Sequence, residues 1–172
     1  MTASCVYWST YAADRAGGKL PVEQWFTDRH ILRRTELGDH IWLFASGESL
    51  EEESPGRLFL VGDFLVASAA DNTGKHPRYH KALFRFVLTA TGPIRLLVPP
   101  RDAGPLVGAP GPHPPRHIGL SLAYPKKLSP TTGRRMQVLA EAPPPYSPEC
   151  PKERNSPISI QLENNGPDEN QI

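Results

Sequence analysis

Prolines divide this chain before any other pattern is considered. Of twenty, seven fall between positions 99 and 117 and seven more between 143 and 172. Proline lacks a backbone N–H and holds φ near one value, so neither stretch suits a helix interior or a central strand. Outside them the chain reads as ordinary globular sequence. From Pro143 onward it is polar and nearly free of aromatics, a composition that buries too little apolar surface to fold. The expected organisation is one domain over 1–142 and a disordered Pro-rich tail over 143–172.

Within the domain, periodicity separates strands from turns. Cys5 to Tyr11 is β-branched and aromatic and reads as a first strand. The stretch from Ala12 to Leu20 holds Gly17-Gly18 and reads as a loop. Pro21 suits the first turn of a helix, and Val22, Trp25, Phe26 and His30 follow near helical spacing, which predicts a helix over 21–33. His40 to Ala45, Arg57 to Ala67, Tyr79 to Thr91 and Ile94 to Val98 read as strands, with a bulge or bend at Gly62. Ser129 followed by Pro130 signals a helix start. Gly133 to Glu141 continues that helix or forms a last strand. This order predicts an α+β fold in which the strands close on one another as a small pseudobarrel, with short helices beside it.

Charge is split along the chain. Residues 72–135 hold eleven Lys and Arg against one acid, Asp102, whereas residues 36–71 hold eight acids against one base, Arg57. The formal total of +1 averages the two. Local potential, not net charge, draws a polyanion to a surface. Mutual neutralisation of the two segments across a sheet is the competing explanation. Residues 1–142 carry 17 bases and 13 acids, and the tail carries 2 and 5.

No apolar run approaches the length that spans a bilayer, and no basic stretch followed by an apolar one opens the chain. Cys5 and Cys150 stand far apart and suggest neither metal spacing nor a disulfide framework. A soluble protein is expected, cytoplasmic, or nuclear in a eukaryote.

The opening Tyr7-Trp8-Ser9-Thr10-Tyr11, the step Leu37-Gly38-Asp39-His40-Ile41-Trp42-Leu43-Phe44 and the run Leu60-Val61-Gly62-Asp63-Phe64 lie in a telling order. Over about residues 5–100 that order resembles the PUA-like superfamily, especially its EVE branch. The resemblance implies a nucleic-acid-binding module, DNA or RNA, that accepts a flipped or modified base in an aromatic pocket and has no catalytic machinery or cofactor of its own.

A flipped base needs flat apolar walls and a few polar groups at its edge. Trp8, Trp25 and Trp42 are the candidate walls, and Ser9 and Thr10 the candidate edge contacts. A Trp-rich core is the plainer use of the same residues. Lys75, Arg78, His80 and Lys81 crowd into one loop with Tyr79 and Gly74, and Arg15 and Lys19 flank Gly17-Gly18. Together these are the candidate phosphate rim.

Other chemistries find less support. His76/His80 and His113/His117 could in principle hold zinc, yet both pairs enclose proline and lack a nearby Cys or acid at familiar spacing, so no metal is expected. No nucleophile elbow or phosphate-binding Gly-rich loop is present. A small hydrolytic enzyme using the histidines is a remaining alternative. An adaptor is another, since Pro143-Pro144-Pro145-Tyr146 resembles a proline-rich ligand that would recruit an effector protein.

Overall fold

A computed structural model of the chain describes residues 2–50, 57–107 and 125–143. The expected tail and most of the Pro-rich loop at 99–117 lie outside these residues. The architecture is mixed α and β, dominated by strands. In chain order the elements are β1 (Ala3–Tyr7), α1 (Tyr11–Ala16), β2 (Gln24–Thr27), a 3-10 turn (His30–Arg34), β3 (His40–Ser46), a second 3-10 turn (Gly47–Leu50), β4 (Leu58–Asp71), β5 (Phe86–Ala90), β6 (Arg95–Asp102), a single helical turn α2 (Gly104–Val107), β7 (Lys126–Leu128) and α3 (Pro130–Glu141).

β4 organises the sheet. Its 14 residues are enough to serve two sets of neighbours. Its first half pairs with β3 and β6, and its second half pairs with β5. The full order is β2-β5-β4-β3-β1-β7, with β6 also on β4. β1 runs parallel to β3, while the other pairings are antiparallel. The register slips at Leu60/Gly62 and again at Val66/Ser68, and such bulges bend a strand. Gly62 is required there. A Cβ at this position would stand 2.5 Å from the Arg95 carbonyl oxygen, so only glycine lets β6 approach. The sheet does not close, because β2 and β7 stand at its two ends. The expected pseudobarrel is therefore an open, bent sheet.

Alternation along β3 builds two cores. Ile41, Leu43 and Ala45 face a cluster with Val6, Trp8, Tyr11, Trp25, Phe64 and Leu88. Trp42 and Phe44 face the other, with Cys5, Leu60, Leu97, Met136 and Ala140. α3 covers this second face. It starts as its sequence indicates: Pro130 opens the first turn, and the Ser129 hydroxyl accepts the Thr132 N–H at 3.1 Å. Burial pushes the Cys5 thiol up from its ordinary 9.0, as befits a cysteine packed as a small hydrophobe.

Further expectations are corrected. The helix expected at 21–33 is β2 followed by a 3-10 turn. Residues 24–27 alternate exposed, buried, half-buried, buried, and pairing with β5 decides the outcome over local spacing. The loop expected at 12–20 begins as α1. The strand expected from Tyr79 is regular only from Phe86, because residues before it turn back on themselves: both the Leu83 and Phe84 N–H groups bond the His80 carbonyl. β6 in turn runs past Val98 through Pro99 and Pro100, which an edge strand tolerates.

Candidate nucleic-acid interface

The candidate site is built on the loop between β4 and β5, and Asn72 holds that loop in shape. Its side chain is buried, at 3% exposure. Nδ2 donates to the carbonyls of Tyr79 at 2.9 Å and Phe84 at 2.7 Å, and Oδ1 accepts the Gly74 N–H at 2.9 Å. The Asn72 N–H donates to the Arg85 carbonyl at 2.8 Å, closing the loop at its base. Gly74 has φ +76°, a conformation that a side chain rarely adopts, and a Cβ there would meet the Cβ of Lys81 at 3.5 Å. The loop is thus folded on itself, with Lys75, Arg78, His80, Lys81 and Arg85 exposed and no acid among residues 72–85.

Aromatic rings of this loop pack on one another and on β2. Tyr79 stacks on Phe26 with centroids 4.2 Å apart and planes 10° from parallel. His76 lies 5.0 Å from Phe26 and 4.7 Å from Tyr79, and Phe84 meets Tyr79 edge-on at 5.2 Å. The Arg78 guanidinium stands 5.3 Å from the Tyr79 ring, in cation–π range. Burial raises the Tyr79 phenol above its ordinary 10.0; Arg78 opposes this and Asp14 adds to it.

Asp14, on α1, joins the loop to the first strand. One carboxylate oxygen accepts the Trp8 indole N–H at 2.8 Å and the Thr10 hydroxyl at 2.7 Å. The other accepts Arg78 Nη2 at 3.2 Å, while Arg78 Nη1 donates to the Lys19 carbonyl at 3.3 Å. The result is a connected polar bridge from β1 through α1 to the basic loop.

Not every candidate residue joins this site. Trp8 is only 4% exposed and meets Trp25 edge-on at 5.1 Å, so the two indoles form core packing with no slot for a base between them. Trp42, at 1% exposure, belongs to the opposite core and stacks on His40 at 3.9 Å. The three tryptophans therefore do not converge on one pocket. Ser9 is exposed, and the Thr10 hydroxyl is already bonded to Asp14. Arg15 and Lys19 are exposed, and the Lys19 backbone contacts Arg78. Phe26, Asn72 and Asp14 are structural members that were not among the candidates, while Tyr79 stood in the candidate loop without a role and His76 only as a possible zinc ligand. Phe26 was hidden by the helix reading. Asp14 was signalled only by standing four residues after Thr10.

Charge neutralisation across the sheet accounts for part of the basic segment. Arg95 Nε donates to Asp63 at 2.6 Å, and His40 meets the other oxygen of Asp63 at 2.7 Å. Arg78 pairs with Asp14, and Asp71 is taken by Arg33 at 3.3 Å. Lys75, Lys81 and Arg85 form no ion pair among the described residues. Among those residues no group of three or more His, Cys, Asp or Glu comes together to hold a metal, and His113 and His117 lie outside them. Among the described residues no helix is long and apolar enough to cross a membrane. A scan against protein-family models and a search of curated proteins found no match.

Proposed function

We propose that this chain is a nucleic-acid-binding module of PUA-like, EVE-like character, its barrel left open, which reads an unpaired or modified base. The observation that carries the reading is the Asn72-pinned loop, in which the exposed Lys75, Lys81 and Arg85 share one short segment with Tyr79 and His76, packed on Phe26. The roles divide by chemistry. Ammonium and guanidinium groups hold phosphates and position the strand. Aromatic faces extend a stack to any base brought out of its own. A preformed loop binds without a large ordering cost. Trp8 and Trp25 support the platform from within, in place of walling a pocket. Arg78 is held by Asp14 and contributes through its position over Tyr79.

The test compares matched DNA and RNA oligonucleotides, each with and without methylated or hydroxymethylated cytosine and methylated adenine, by fluorescence anisotropy. A tenfold preference for one modification corresponds to about 1.4 kcal/mol. Tyr79→Leu, which keeps apolar packing on Phe26, removes that preference on this account. Equal affinity for every oligonucleotide, unchanged by Tyr79→Leu, would reject the base-stacking role.

A further inference from the structure

Helix α3 buries one face and leaves another open. Met136 and Ala140 pack into the second core, whereas Val138 is 69% exposed. Among the described residues an open groove of about 590 Å³ runs along the helix, walled by Leu106, Val138, Leu139 and Ala142 and flanked by Arg134 and Arg135. Contiguous exposed apolar surface marks a place where something docks.

The charges around the groove narrow the choice. Its lining holds one acid, Asp102. That carboxylate is already engaged: one oxygen meets the Arg57 guanidinium, and the other accepts the Gly104 N–H at 3.1 Å. Glu141, the one acid of α3, does not line the groove and accepts the Gln137 amide at 3.1 Å. Arg134 and Arg135 are exposed and form no ion pair among the described residues. Two more cations stand at the same end of the helix. A Cβ on Gly133 would meet that of Ala3 at 3.5 Å, so the start of α3 lies over β1. Beside β1, β7 carries Lys126 and Lys127 opposite Cys5 and Ser4. These lysines are also exposed and without an ion pair among the described residues. The groove is thus cationic toward the start of α3 and apolar toward its end.

Three kinds of occupant would use such a surface differently. A nucleic-acid backbone satisfies the cations but leaves the apolar wall uncovered. A second copy presenting the same face brings Arg134 and Arg135 against their like. A peptide with carboxylates beside bulky apolar side chains uses both halves. Guanidinium forks take carboxylates through paired hydrogen bonds, and apolar anchors gain by leaving water.

We propose that this groove docks a partner peptide of that chemistry, with its carboxylates on Arg134 and Arg135 and its apolar side chains against Val138 and Leu139. The groove shares no residue with the basic loop at 72–85, and the proposal is independent of the nucleic-acid reading.

The test selects a random phage-displayed peptide library on the full chain and resynthesises the enriched peptides with a fluorescent label. Those peptides should combine Asp or Glu with Leu, Ile or Phe. Val138→Glu and, separately, Arg134→Glu with Arg135→Glu should each weaken their binding by at least about tenfold. All three positions are exposed, and a urea midpoint close to that of the wild type reports an intact fold. Lys75→Ala with Lys81→Ala should leave peptide affinity unchanged, which separates this site from the loop. No enrichment, enriched peptides without acids, or an affinity indifferent to both groove variants would overturn the proposal. Oligonucleotide affinity that falls in the arginine variant while no peptide is enriched would give the surface to nucleic acid instead. A dimer that forms with rising concentration and excludes the peptides would overturn the proposal too, because the groove would then belong to a second copy.

Discussion

Asp14 binds Arg78 at 3.2 Å across 64 residues of sequence, and the same carboxylate holds the Trp8 indole at 2.8 Å. One acid therefore does two things. It locks the basic loop to the first helix, and it cancels one of the loop's charges.

Asp14→Asn separates these roles. The amide still accepts the indole N–H but no longer pairs with a guanidinium. Both partners are partly exposed, so the ion pair is worth only about 0.5 kcal/mol, and urea unfolding should show a loss of that size. Removal of the negative charge should tighten oligonucleotide binding several-fold at low salt. Weaker binding would mean that Arg78 acts only when Asp14 positions it.

Asn72 has no comparable substitute. Asn72→Ala removes three side-chain hydrogen bonds from a buried site and leaves their partners unsatisfied. The expected loss is about 2–3 kcal/mol in urea unfolding. Hydrogen exchange should quicken from Gly74 to Phe84 while β3 stays protected. Unchanged exchange in the loop would show that its shape has another source.

The tryptophans are expected to respond as core residues. Trp8→Ala should cost about 3–5 kcal/mol, enough to endanger the fold. Trp42→Phe is a milder change. The Trp42 indole N–H is buried and has no hydrogen-bond partner among the described residues, and deleting an unsatisfied donor offsets part of the lost packing. Its cost in urea unfolding should stay below that of Trp8→Phe, which takes the indole donor away from the Asp14 carboxylate. The opposite order would contradict the assignment of Trp8 to the Asp14 bridge.

Much of this arrangement was legible from residue patterns, and its failures have physical causes. β3 and the first part of β4 follow apolar runs bounded by turn residues, and α3 begins at the Ser129-Pro130 signal. These are local properties. The 21–33 segment failed because Trp25 and Phe26 fit either a helix face or a strand, and only the distant β5 chooses between them. Lys75, Arg78, His80 and Lys81 were recognisable as one charged loop, since they are neighbours in sequence. The partnership of Phe26 with Tyr79, and of Asp14 with Arg78, links residues more than fifty positions apart. No spacing rule reports such contacts. The tryptophan pocket failed for a related reason: Trp42 lies on β3 and Trp8 directly follows the neighbouring β1, but they belong to opposite cores, which alternation reveals only once register is known.

Stability should fall at both ends of the pH scale. Burial opposes ionisation of Asp39, but hydrogen bonds from the Thr2 and Glu36 N–H groups outweigh it and hold the carboxyl below its ordinary 3.8. A depressed acid stabilises the fold above its unfolded value, and this contribution is lost as pH drops below 3.8. Cys5 shifts the other way. Its thiol is raised above 9.0 by burial, so the unfolded chain ionises first and stability declines as pH climbs past 9.0. Tyr79 adds a further decline above 10.0. Urea midpoints across the range should give a plateau with these two shoulders. Cys5→Ala should flatten the alkaline side below 10; an unchanged alkaline shoulder would assign it elsewhere.

The central claim is that the 72–85 loop grips a nucleic-acid backbone, and the salt dependence of binding tests it most directly. Oligonucleotide affinity of the full chain would be measured by anisotropy from low to physiological salt, beside Lys75→Ala with Lys81→Ala. Both lysines are exposed, so the double variant should fold normally. The account predicts that log affinity falls linearly with log salt, and that the variant's slope is shallower by roughly 0.7 for each lost contact to a single strand. No binding at low salt, or one slope shared by both proteins, would contradict it.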